Sequence, residues 1–83
     1  MIYQILKTGA EPHKRFLALT RLGDLFSTSY GSTRFDSIEK AKIHLDRLKS
    51  QGLAVHMIYV NTCKIDHLPA WGEVNRDALA RIS

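Results

Sequence analysis

The chain has 83 residues, 45% of them apolar and 24% charged, a globular balance that excludes fibrous and intrinsically disordered classes. Twelve Lys and Arg against eight Asp and Glu leave a net charge of +4 without any run of five or six like charges, which favours encounter with an acidic partner but marks no basic arm. A lone cysteine excludes an internal disulfide and no apolar stretch nears the about 20 residues of a membrane span, so one domain over 1–83 is expected, off the membrane and in a reducing compartment such as the cytoplasm.

Ile2, Gln4 and Leu6 alternate with Tyr3, Ile5 and Lys7. Apolar residues on both faces predict a strand inside a sheet. Gly9 and Pro12 turn the chain over 8–13. Residues 14–22 read as a second strand, and Gly23-Asp24 as the Gly-X turn of a hairpin into a short third strand at a sheet edge. Asp36 and Glu39 form a capping-box-like pair with Phe35 as the apolar residue before it. From there Ile38, Ala41, Leu45 and Leu48 recur at spacings of three and four, which predicts a helix stopped by Gly52.

Residues 53–62 place Leu53, Val55, Met57 and Tyr59 on one face and Ala54, His56, Ile58 and Val60 on the other. A two-sided apolar strand after a crossover helix is expected to dock parallel to the first strand. After a loop over 63–69, Trp71, Val74, Ala78 and Ile82 recur at helical spacing beside Leu79, which predicts a short C-terminal helix. The resulting fold is α+β, ordered β-β-β-α-β-α, with a four-stranded mixed sheet of order 3-2-1-4 and one main helix on one face.

That helix covers one face only, although strands one, two and four present apolar side chains on both. The C-terminal segment with Trp71, Val74, Leu79 and Ile82 is expected to cover the second face. The alternative is a bound partner or a homodimer, because a large uncovered apolar area on a small protein marks an interaction site.

Cys63, Asp66 and His67 share one loop, but a thiol and an imidazole on a short loop lack the oxyanion donors that acyl transfer needs. His13, His44, His56 and His67 show no paired ligand spacing for zinc. The loop over 27–33 is rich in hydroxyls, yet it carries no phosphate-binding glycine motif and is followed by Asp36, which competes for the positive end of the helix. No catalytic residue, metal or cofactor is therefore predicted.

Binding remains. Lys40, Ile43, His44 and Arg47 lie opposite the core stripe of the helix and mix an apolar anchor with cations, a composition favoured at interface hot spots. Arg15 and Arg21 flank Leu17 and Leu19 on one face of strand two, with Tyr30 and Arg34 nearby in sequence. These residues point to a small non-enzymatic modulator, an inhibitor or adaptor that docks on another protein with an acidic surface, as a monomer or homodimer. Nucleic-acid or ribonucleoprotein binding ranks second, since the basic residues alternate with acids and the aromatics lack an interleaved stacking pattern.

Overall fold

A computed structural model describes residues 1–62, 66–67 and 69–81. Strand β1 (Ile2–Lys7) is followed by a single 3-10 turn at Pro12–Lys14, then by β2 (Phe16–Thr20), β3 (Gly23–Ser27), helix α1 (Ile38–Ser50), β4 (Val55–Val60), β5 (Trp71–Glu73) and a short helix α2 (Arg76–Ala80). The sheet has five strands in the order β3-β2-β1-β4-β5, and every pair is antiparallel. The α+β class and the order of the first four strands follow the sequence pattern. The strand count and the direction of β4 do not.

The direction of β4 is set by the link between β3 and α1. Strands β1 and β2 meet at Leu6↔Phe16, and beyond that point the chain over 33–35 lies between them. The Thr33 amide donates to the Leu17 carbonyl at 3.0 Å, while Tyr3 and Phe35 exchange amide-carbonyl bonds at 2.8 and 2.9 Å in an isolated antiparallel bridge. This backbone reversal brings the chain back along β1 before α1 begins. The helix then runs parallel to β1, and β4 returns antiparallel to it, with Ile2↔Val60 and Lys7↔Val55 at the two ends. The handedness rule for parallel crossovers therefore never applies, because one more reversal precedes the helix.

Helix α1 starts one residue later than the expected cap. The Ser37 hydroxyl oxygen accepts the Lys40 amide, and the same hydroxyl donates to Glu39 Oε2 at 2.6 Å. Asp36 instead pairs with the Lys40 ammonium at 3.2 Å. At the other end Gly52 takes φ +86° and the Leu53 amide reaches back to the Leu48 carbonyl, a left-handed cap that only glycine adopts without a Cβ clash. The hairpin also shifts by two residues: Thr20↔Gly23 is its closing pair, so Arg21 and Leu22 form the turn and Gly23 opens β3.

The core lies between α1 and one sheet face. Ile5, Leu17, Ala41, Leu45 and Leu48 are fully buried there, with Met57, Val55 and Phe35 beside them. Each fully buried aliphatic side chain of this kind contributes about 1.5–3 kcal/mol relative to exposure. Val74 and Leu79 pack against this same cluster. The C-terminal segment is thus divided: Val74 and Leu79 join the helix side, while Trp71, in a fifth strand hydrogen-bonded to β4, borders the second face. Ile82 lies outside the described residues.

Candidate functional site

The sheet face turned away from α1 is covered only in part. Near the β1–β2 fork, the buried Gln4 amide nitrogen donates to Ser32 Oγ at 2.8 Å, and the Ser32 hydroxyl donates to the Ser29 carbonyl at 2.7 Å, so the loop after β3 is fastened over that corner. Beyond it Leu6, Phe16, Ile58 and Trp71 line an open groove of about 370 Å³ together with Lys7, Gly9, Arg15 and His56. Phe16 also borders a second hollow, of about 530 Å³, formed with Pro12, His13, Thr28, Ser29 and Tyr30. The buried Leu6 and Ile58, 7% and 9% exposed, form the floor of the groove, and Trp71 and Tyr30 stand at the outer ends of the two hollows. Trp71 is 66% exposed and Tyr30 94%.

The polar rim of the groove is held in place. Arg15 donates through Nε and Nη2 to the Ala10 carbonyl at 3.0 and 2.8 Å, which orients the guanidinium, and no carboxylate pairs with it among the described residues. The His56 Nδ1 lies 2.9 Å from the Thr8 hydroxyl. The Lys7 ammonium is drawn off to sit 5.5 Å from the centre of the Phe26 ring, a cation–π distance. Glu11, in the loop that leads into the 3-10 turn, is paired with His13 at 3.2 Å. Such a surface buries apolar side chains and offers an oriented guanidinium to a carboxylate or phosphate.

The residues predicted from the sequence fall in three places. On α1, Lys40 pairs with Asp36 and Lys42 with Asp46, and Arg47 forms a bidentate pair with Asp24 of β3 at 2.5 and 3.0 Å. These hydrogen bonds hold the Asp24 carboxyl below its ordinary range and raise the guanidinium of Arg47. The His44 ring stacks at 5.4 Å on Phe35 with its Nδ1 at 3.1 Å from Arg47 Nη2. Ile43 alone projects, 67% exposed, from a surface whose cations are already matched by acids.

On β2, Leu17 is fully buried beneath α1 and has no surface to offer a partner, while Leu19 is on the same side and partly exposed. Arg21 sits exposed in the hairpin turn, and Arg34 is exposed beside the Tyr3–Phe35 bridge. Arg15 and Tyr30 are the predicted residues that border the open face. The surplus of two-sided apolar strands points to the second sheet face as an alternative interaction site, but does not identify Leu6, Phe16, Ile58 and Trp71 as the residues that line its groove.

Of the chemical constellations, Cys63 lies outside the described residues. Among the described residues no group of three His, Cys, Asp or Glu side chains is placed to hold a metal, and no helix is long and apolar enough to cross a membrane. Compared with known families, curated proteins and solved structures, the chain has no match.

Proposed function

We propose that this chain is a non-catalytic binding module, an inhibitor or adaptor, that docks on another protein through the open face of its sheet. The observation that carries the reading is the exposed Trp71 beside the Leu6–Phe16–Ile58 groove, since a large aromatic held at the edge of an apolar depression is the composition of an interface hot spot. Arg15 supplies the charged contact, and with the net charge of +4 it favours a partner whose docking surface combines acidic and apolar side chains. This reading moves the docking surface from the outer face of α1, where Lys40 and Arg47 already have acidic partners.

Site-specific photo-cross-linking tests it. A cross-linking side chain is placed at Tyr30 or His13 on the rim of the open side and at Ile43 or Lys40 on the helix, and the protein is exposed to extract of its native cell. A discrete protein adduct confined to the first pair supports the reading. Adducts from the helix positions alone, or from neither pair, overturn it.

A second reading, nucleic-acid binding, draws on the same exposed indole next to a guanidinium, a pairing on which bases stack. Salt separates the two. Phosphate-dominated binding loses affinity steeply between low and moderate salt, whereas an apolar-anchored protein interface loses far less.

A further inference from the structure

We infer that β3 is a pairing edge through which two copies of this chain join their sheets. The sheet has two edge strands of unequal kind. β5 is three residues long and contains Gly72, whereas β3 runs five residues in unbroken register with β2, from Phe16↔Ser27 to Thr20↔Gly23, with no bulge, proline or lysine. Edges of that length are ordinarily defended by one of those devices, because an open row of N–H and C=O groups templates further strand pairing.

The register shows which groups are open. A two-residue turn closes on a hydrogen-bonded pair, here Thr20↔Gly23, and bonded pairs then alternate along the ladder. Gly23, Leu25 and Ser27 therefore bond inward to β2, and the backbone groups of Asp24 and Phe26 point outward. Among the described residues neither outward pair has a hydrogen-bond partner. Leu25 is 54% exposed in the middle of this edge, and Leu22 is wholly exposed at its end.

The edge is complementary to itself. A two-fold axis at Leu25 sets Asp24 opposite Phe26 of the second copy, so the outward N–H and C=O groups of these residues meet and bond. Leu25 then faces Leu25 as a non-bonded pair, where side chains approach most closely. No like charges face one another: Asp24 meets an aromatic, and its carboxylate is already held by its own Arg47. A second copy therefore pairs β3 of each chain with one register and leaves the groove beside Trp71 and the hollow beside Tyr30 free, since Leu25 lines neither.

The test combines light scattering after size exclusion with hydrogen exchange, from low micromolar to millimolar concentration. The expected result is a rise from 9.4 kDa to twice that mass, with the amides of Asp24 and Phe26 becoming protected as it occurs. Leu25→Lys and Leu25→Glu each give a monomer alone, because like charges then face across the axis, and an equimolar mixture of the two restores the dimer. Trp71→Ser leaves the dimer unchanged. The inference is overturned by a monomer at all concentrations, by a dimer indifferent to both Leu25 variants, by a mixture that stays monomeric, or by protection that appears at Phe16 and Trp71 instead.

Discussion

The Arg47 guanidinium on α1 grips the Asp24 carboxylate on β3 with two parallel hydrogen bonds across 23 residues of sequence. It ties the outer hairpin strand to the helix, outside the hydrophobic core. Because the pair is partly exposed, its contribution is about 0.5–1 kcal/mol. The Asp24 pKa is lowered in the folded protein from 3.8, chiefly by the hydrogen bonds from Arg47. The unfolded chain thus binds the proton first as pH falls, and the contribution is present above the unfolded value and lost on passing down through the folded one. Asp24→Asn is expected to be less stable than the parent at pH 7, by a gap that narrows steadily as pH falls below the unfolded carboxylate value of 3.8. Urea titrations across this pH range check it, and a gap that does not shrink as the pH falls would contradict it.

Tyr59 and Gly72 face each other across β4 and β5, and a Cβ built on Gly72 would lie 2.5 Å from the Tyr59 hydroxyl and 2.7 Å from its ring. The ring lies over the bare glycine backbone, a pairing that protects a weak edge strand. Gly72→Ala forces the ring off β5 and is expected to cost about 1–2 kcal/mol. In a Tyr59→Val background the same change should cost much less, since nothing then has to move. A double-mutant cycle reads the coupling directly, and additive effects would show that the ring does not rest there.

Much of the fold was legible where one local rule acts alone. The stripe of Ala41, Leu45 and Leu48, the stop at Gly52 and the two-sided pattern of β1 appear as the sequence implies. What escaped depends on distant partners. Trp71, Val74 and Ala78 carry helical spacing, yet pairing of Trp71 with Val60 draws the first of them into a strand, and α2 starts only where the Asn75 side chain accepts the Ala78 amide. The reversal at Phe35 is a backbone contact with Tyr3 that no side-chain pattern announces. The candidate surface was hidden for the same reason. Leu17 and Leu6 are equally apolar in sequence and both are buried, and only the packing of α1 decides that the first lies under the helix while the second forms the floor of a groove on the other face.

Gln4 is the buried polar residue of β1, and its amide depends on Ser32 at 2.8 Å, with Ser29 Oγ more distant at 3.5 Å. Ser32→Ala strands that buried donor and is expected to cost about 1–3 kcal/mol, the penalty of an unmet polar group. Combining it with Gln4→Met, which keeps the length of the side chain and removes the need for a partner, should recover most of the loss. Thermal unfolding of the single and double variants tests this. If the double variant is no better than Ser32→Ala alone, the loop is held by something other than this bond.

Leu17 and Trp71 separate the two jobs of the sheet. Leu17 is fully buried under α1, so Leu17→Ala leaves a cavity and is expected to cost about 2–5 kcal/mol, enough to threaten a domain of this size. Trp71 is 66% exposed, so Trp71→Ala removes only the buried third of the side chain and should cost about 1–2 kcal/mol, less than Leu17→Ala. Binding should respond in the opposite sense. An aromatic anchor at an interface contributes about 2 kcal/mol or more, so Trp71→Ala is expected to weaken partner binding at least about 30-fold while the protein stays folded. Ile43→Ser, on the charge-matched outer face of α1, should leave both unchanged. Denaturation and binding measured on the same three variants decide the matter, and a Trp71→Ala protein that melts early and still binds would place the indole in the core and remove it from the interface.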